Sequence, residues 1–473
     1  MDRLRTSLAD VVGPSHVLVD PELTASYETD WTGRFTGRAA AVVRPGSSGE
    51  VAAVMALLHE AGRPVVPQGG NTGLVGGGVP LHGEVVVSLR RLAAIDEVDV
   101  AAGQVTVGAG ATAAAVDDAA ARVGLAFGVD LAARQSATVG GMVATNAGGL
   151  RMLRYGGMRA QTAGVEAVLA DGRVVSHLGG LTKDNTGYDL AGLLAGSEGT
   201  LAVVTRVQLR LVPRLEHRTT GLLAFADPDA ALEALIGLRR RLPGLLEAAE
   251  LFLADGVRLV CDHLGIPPPF GRIDPVYLLV EAAGVSDPAE ELAAAVIEVV
   301  GDRALDGAVD AEPAGRARLW RYREAHTEAI NAAGVPVKLD VTLPAGELAA
   351  FLAEAPATVE RVAPGARCIL FGHAGDGNVH VNVLGVAGGS GVSPDMTDAR
   401  PVEDAVLRLA AGRGGSISSE HGIGAAKRPW LHLNRSPAEI DVFRAIKRAL
   451  DPDGILNPHV LLPEEDARTG ALG

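Results

Sequence analysis

The sequence predicts an α+β protein: a glycine-rich N-terminal domain over residues 1–215, a second α+β domain over 216–405 and a small, mostly helical C-terminal segment over 406–473. Three observations lead to that expectation. Short apolar runs joined by turn residues mark antiparallel hairpins, longer runs carry helical spacing, and dense glycine runs interrupt the pattern through the first half. Beyond residue 216 the composition shifts toward Ala, Leu, Glu and Arg, as expected for a separate domain.

In chain order, Glu50 to Ala61 has helical period and Arg63 to Val66 leads as a strand into Pro67-Gln-Gly-Gly-Asn-Thr-Gly-Leu-Val-Gly-Gly77. Successive backbone N–H groups in such a loop can form an anion nest that holds a pyrophosphate without a basic side chain. Ile95 to Val100 pairs as a hairpin with Gln104 to Val107, and Asp171-Gly172 turns the chain between Gly164 to Leu169 and Arg173 to Ser176. Gly108-Ala-Gly-Ala-Thr-Ala113 fits G-x-G-x-x-A, with Asp130 at roughly the expected distance, so a dinucleotide site of the Rossmann type is a formal rival. Its strand belongs to a hairpin, which argues against that rival.

Small and polar residues then continue through Asp130-Leu131, Ser136-Ala-Thr-Val-Gly-Gly141, Asn146-Ala-Gly-Gly149 and Arg154-Tyr-Gly156. They leave room for an extended ligand against the backbone. Lys183-Asp-Asn-Thr-Gly-Tyr-Asp189 and Gly196-Ser-Glu-Gly-Thr200 close this half.

In the second domain, Arg316 to Ala333 reads as one helix, ended by Gly334-Val-Pro336 and followed by a strand from Val337 to Val341. Arg323 and Thr327, four apart, would share a helix face, and Lys338 begins the strand. Of 42 Lys and Arg residues only four are lysine, so a lysine beside a motif is conspicuous. Arginine, hydroxyl and lysine together suit a carboxylate. His326 falls off that face and reads as packing or surface rather than as a ligand.

The most informative stretch is Phe371-Gly-His-Ala-Gly-Asp-Gly-Asn-Val-His-Val-Asn382. An apolar run from Cys368 to Phe371, a turn at Gly375-Asp-Gly-Asn378 and alternation from Val379 to Leu384 predict a hairpin with His380 and Asn382 on one face. His373 enters the turn on the partner strand. Glu420-His421 follows strand-like Ser416 to Ser418, so two histidines and a glutamate, His373, His380 and Glu420, can form a three-ligand metal site with an open position.

Composition excludes several classes. A net charge of −15 argues against a nucleic-acid partner, which needs a basic footprint. No run of about 18 apolar residues occurs, and the first ten residues resemble no signal peptide, so a cytoplasmic protein is expected. Two cysteines are too few for an iron–sulfur cluster. Electrons, if handled, must leave by another carrier.

Taken in order, these motifs resemble the vanillyl-alcohol-oxidase-type FAD-binding family and, within it, the D-2-hydroxyacid dehydrogenases. The resemblance runs from about residue 40 to 463 and rests on the glycine run at 67, the stretch from Asp130 to Gly156, Lys183 to Thr205, the hairpin at 373, Glu420-His421 and Asp451-Pro-Asp-Gly-Ile-Leu-Asn-Pro458. It implies a two-subdomain FAD-binding domain and a substrate (cap) domain. Noncovalent FAD is then expected on Pro67, Gly69, Gly70, Asn71, Thr72 and Gly73, on Asp130, Ser136, Thr138, Gly140, Gly141, Asn146, Gly148 and Gly149, and on Glu198, Gly199 and Val204, with Asn457 near the flavin ring. It further implies a divalent metal, zinc first with manganese or iron as alternatives, on His373, His380 and Glu420. Substrate would meet Arg323, Thr327, Lys338 and Asn382, with His421 beside its α-carbon as the catalytic base.

The expected activity is hydride transfer from C2 of a D-2-hydroxyacid to flavin N5. D-2-hydroxyglutarate is favoured because Arg323 and Lys338 suit a second carboxylate; D-lactate or glycolate is the alternative. A soluble acceptor such as an electron-transfer flavoprotein would reoxidise the flavin, and a homodimer stays open. The rival from another class is a redox-silent binding protein that uses the hairpin as a structural metal clip.

Overall fold

In the computed structural model, residues 2–386 and 399–464 are described. The chain divides into two units: residues 1–149, 156–214 and 420–473 form the first, and 150–155 with 215–419 the second. Helix Arg400–Gly412 and residues 413–419 thus stay with the second unit, and the chain returns to the first at Glu420.

The first unit carries two sheets. Strands β1 (Val17–Leu18), β2 (Ala41–Val43), β3 (Val65–Gln68) and β4 (Val85–Ser88) stack in the order β1-β2-β4-β3, with β4 parallel to both β2 and β3. β5 (Gln104–Gly108), β6 (Leu125–Phe127), β7 (Thr162–Val168), β8 (Val174–His177) and β9 (Val203–Pro213) form the second sheet, β5-β9-β7-β8 with β6 also on β9. All its pairings are antiparallel. The segment opening at Gly108 therefore follows an antiparallel strand, where a Rossmann fingerprint needs a parallel βαβ unit. One apolar core, including Val85, Val107, Phe127, Met158, Val207 and Leu456, serves both sheets.

Leu456 belongs there because the C-terminal segment returns beside β3. Val65 N–H donates to Ile455 O at 2.7 Å and Asn457 N–H to Val65 O at 2.8 Å. Asp451 holds that return by accepting from the N–H groups of Ile455 and Leu456 and pairing with Lys447, whose ammonium also donates to Thr200 O and Leu456 O. This lysine is a structural clamp.

The second unit is built on a seven-stranded antiparallel sheet. β10 (His217–Phe225), β11 (Leu246–Leu253), β12 (Val276–Gly284), β13 (Asp306–Asp310), β14 (Val337–Thr342), β15 (Arg367–His373) and β16 (Asn378–Leu384) lie in the order β13-β10-β12-β11-β15-β16-β14. Helical composition hid this sheet in the sequence, since every residue of the interior strand β12 is buried and shows no alternation to read. The expected single helix over 316–333 is two: Pro313–Glu324 and His326–Ala333, broken at Ala325 with φ −75 and ψ −5. Ser416 makes an isolated antiparallel bridge to Thr342 rather than opening a strand.

Candidate active site

Glycine lets the 67–77 loop lie against the segment that follows residue 136. A Cβ on Gly69 would fall 2.1 Å from Thr138 Oγ1, and one on Gly70 1.9 Å from Ser136 O. The carbonyls of Gly69 and Gly70 accept from Arg90 at 3.1 Å. In a trans peptide the N–H points opposite its C=O, so the Gly70 and Asn71 amides point away from Arg90, the arrangement an anion nest requires. Asn71 adopts a left-handed φ of 58 and donates through its side chain to Thr29 O at 2.8 Å. Thr138 Oγ1 is buried and has no hydrogen-bond partner among the described residues. A buried hydroxyl without a partner is costly and fits a ligand that supplies one. These features suit FAD.

The other expected flavin residues all fall in the first unit. Asn146 (φ 49) accepts from Arg159 N, and Asp130 pairs with Arg134 at 3.3 Å. Pro67 lies on β3 and Val204 on β9. The buried Glu198, with φ 53, accepts from the N–H groups of Ile423 and Gly424 at 2.8 and 2.7 Å. Burial nevertheless raises its pKa, against those two bonds and the Lys427 charge. Asn457 donates to Gly77 O and Glu198 O, so its amide ties the glycine loop to the 196–200 turn.

In the second unit, strand register gathers the remaining candidates on one sheet face. Directly opposed residues of antiparallel strands share a face, and so do residues two apart on one strand. Lys338 faces Asn382, Asp340 faces His380, Phe371 faces His380 and Glu250 faces His373. The face thus carries Lys338 and Asp340 on β14, His380 and Asn382 on β16, His373 on β15 and Glu250 on β11. The His373 and His380 rings meet edge to face with centroids 5.4 Å apart, and each offers a ring nitrogen within 4.8 Å of the other's.

Two buried carboxylates, Glu250 and Asp340, stand behind these histidines. His373 Nδ1 lies 2.5 Å from Glu250 Oε1, and His380 Nδ1 is 3.6 Å from Asp340 Oδ1. At His373 a proton held on Nδ1 by that hydrogen bond puts the lone pair on Nε2, the preparation that metal-binding imidazole needs. Burial works to raise the Glu250 pKa, but the neighbouring His373 and Arg323 groups outweigh it and hold the carboxyl below its ordinary range. Asp340 also accepts from Asn378 Nδ2 at 2.6 Å and from Ser419 N–H at 2.9 Å. Glu420 and His421 follow Ser419 directly in the chain. Two imidazoles and a carboxylate are a donor set that a divalent metal accepts.

Arg323 ends the first of the two helices and is 8% exposed. Its Nε donates to Glu250 Oε2 at 2.5 Å and its guanidinium lies 4.6 Å from the Phe371 ring centroid. Among the described residues neither terminal NH₂ has a partner. Thr327 sits on the second helix, beyond the break at Ala325. His326 is fully buried against Phe252 and Phe371, which makes it a packing residue and removes the surface alternative.

Glu250 and Asp340 were missed in the sequence. Each had a signal: a lone acid inside the apolar run Ala248 to Leu253, and an acid at strand spacing from Lys338.

Comparison with known proteins agrees with this architecture. Residues 39–177 match the FAD binding domain family and residues 214–461 the C-terminal domain of FAD linked oxidases. The chain is 38% identical over 472 residues to a D-2-hydroxyglutarate dehydrogenase of Xanthomonas citri pv. viticola, covering 98% of each. It is 37% identical over 458 residues to the mitochondrial D-2-hydroxyglutarate dehydrogenase of Bos taurus, covering 96% of this chain and 82% of that one. Among solved structures, p-cresol methylhydroxylase superposes with a TM-score of 0.75 at 16% identity, covering 97% and 96% of the two chains. A 4-ethylphenol oxidase from Gulosibacter chungangensis does so with 0.72 at 18%, covering 98% and 97%. The fold is therefore that of the vanillyl-alcohol-oxidase-type flavoproteins, and the protein is an FAD-dependent oxidoreductase. The chain belongs to the FAD-linked oxidase family, together with the D-2-hydroxyglutarate dehydrogenases it matches.

Proposed function

We propose that this protein is an FAD- and metal-dependent dehydrogenase that oxidises D-2-hydroxyglutarate, or a close dicarboxylic D-2-hydroxyacid, to the 2-oxoacid. The single observation that carries the substrate class is the Glu250–Arg323 pair. Arg323 is buried and oriented through Nε, with its two terminal NH₂ groups available for a carboxylate. Lys338 lies on the face that carries His380, and the likeness to D-2-hydroxyglutarate dehydrogenases supports the same substrate.

In this reading His373, His380 and Glu420 hold the metal, zinc before manganese or iron, since the donor set does not separate them. When bound, the metal supplies Lewis acidity that lowers the pKa of the substrate hydroxyl, and FAD supplies the two-electron acceptor for the hydride leaving C2. His421 takes the hydroxyl proton as the C2–O bond becomes a carbonyl. Asn382 orients the proximal carboxylate, and Arg323, Thr327 and Lys338 bind the distal one through charge-assisted hydrogen bonds, each worth roughly 1.5 to 3 kcal/mol. Lactate lacks that second carboxylate. With two cysteines, too few to ligate a cluster, a soluble acceptor such as an electron-transfer flavoprotein would take up the electrons. No described helix is long and apolar enough to cross a membrane.

The test compares kcat/KM for D-2-hydroxyglutarate and D-lactate in the wild type and in Lys338→Met. The expected result is a wild-type preference for the diacid that largely collapses in the variant. Equal efficiency on both acids in the wild type ends the proposal for a dicarboxylic substrate.

A further inference from the structure

Glu250 has two carboxylate oxygens and each is engaged by a different functional group: Oε1 by His373 Nδ1 and Oε2 by Arg323 Nε, both at 2.5 Å. It is fully buried on β11, directly opposite His373 in the β11–β15 ladder. We propose that Glu250 is a positioning residue that couples the metal site to the substrate-carboxylate site by fixing the His373 tautomer and the Arg323 guanidinium at once. The inference deepens the function proposed above and rests on it.

The chemistry of the two partners makes the coupling strict. Arg323 Nε–H can only donate, so the atom facing it must accept. Neutral His373 can present either a donor or an acceptor at Nδ1, and a carboxylate oxygen selects the donor, leaving the lone pair on Nε2. An amide at position 250 cannot satisfy both partners in this way. If its oxygen turns to Arg323, its NH₂ faces His373 Nδ1 and selects the tautomer with the proton on Nε2, which binds a metal through Nε2 only by giving up that hydrogen bond. If its oxygen stays with His373, two donors oppose each other at Arg323 and the guanidinium is displaced. The first arrangement keeps the charge-assisted bond and is the expected one.

The experiment measures Zn²⁺ affinity by competition with a chromogenic chelator in flavin-loaded wild type, Glu250→Gln, Arg323→Met and the Glu250→Gln/Arg323→Met double variant. Circular dichroism and urea denaturation report folding, because Glu250 and Arg323 lie in the second unit and the expected flavin residues in the first. Glu250→Gln should bind Zn²⁺ about 10 to 100 times more weakly, the usual cost of losing the carboxylate behind a ligating histidine. The double variant should recover most of that loss, because without the guanidinium the Gln oxygen is free to accept from His373 Nδ1–H. A merely structural role predicts no such rescue. Wild-type Zn²⁺ affinity in Glu250→Gln, or a loss that the second substitution does not relieve, overturns the proposal while leaving the metal site intact. Should Glu250→Gln alone fail to fold, Glu250→Leu/Arg323→Met is compared with the Gln double variant. Both lack the buried charges and only Gln can accept from His373, so the Leu pair should bind Zn²⁺ about tenfold more weakly, and equal affinity overturns the coupling. A flavin-loaded wild type that takes up no Zn²⁺ brings down the functional reading itself, and this proposal with it.

Discussion

Asp340 stands directly opposite His380 in the β14–β16 ladder, with its carboxylate 3.6 Å from His380 Nδ1 and accepting from Asn378 Nδ2 and Ser419 N–H. One buried acid thus hydrogen-bonds the hairpin turn and the residue before Glu420 and stands within ion-pair distance of a hairpin histidine. Asp340→Asn presents a donor where an acceptor was required. It should weaken Zn²⁺ binding by about 10 to 100-fold while leaving FAD content unchanged. Chelator competition beside flavin absorbance checks this, and unchanged metal affinity refutes it.

Removal of the metal should abolish turnover without releasing flavin. His373→Ala and His380→Ala should behave as the chelated wild type does, since both residues lie in the second unit and the FAD residues in the first. Glu420→Gln should also abolish turnover, whereas His421→Ala should lose rate more than metal. Full dye reduction after exhaustive chelation excludes the metal assignment.

FAD should be released by acid. The loop from Pro67 to Gly77 contains neither histidine nor cysteine, and both cysteines lie in the second unit, where burial pushes the Cys368 thiol up to about 12. Acid precipitation should leave a colourless pellet and a yellow supernatant. Colour that survives washing of the pellet means a covalent bond.

Stability should fall with acidification through His326. Burial, and then the Arg323 charge, push its pKa down to about 3 from an ordinary 6.5. Above pH 6.5 the ring is neutral in both folded and unfolded chains and the shift has no effect. Below it the unfolded chain takes up a proton that the folded protein refuses, so stability drops by about 1.4 kcal/mol per pH unit until pH approaches 3. Urea denaturation between pH 7 and 4.5 should show a shallower loss in His326→Leu than in wild type, by about 2 to 3 kcal/mol over that range. Parallel pH profiles would remove His326 as the cause.

Local features were legible without coordinates because their causes are local. Turn residues between apolar runs marked the β7–β8 and β15–β16 hairpins, strand alternation placed His380 and Asn382 on one face, and glycine density marked the loop at 67–77. Arg323 and Thr327 were found as residues, yet their shared helix was not, because the break at Ala325 has no Gly or Pro to announce it.

What the sequence determined by itself is therefore the list of chemical groups and the short elements that carry them. The tertiary structure decided which groups meet. Glu250 lies 123 residues before His373 and becomes its partner only through β11–β15 pairing, and Asp340 reaches His380 only through β14–β16. The physical reason is that strand register is a nonlocal quantity. It is set by the burial of whole apolar faces such as that around Phe252, Ile369 and Phe371, and a carboxylate rides on that register to a histidine that no sequence spacing connects to it.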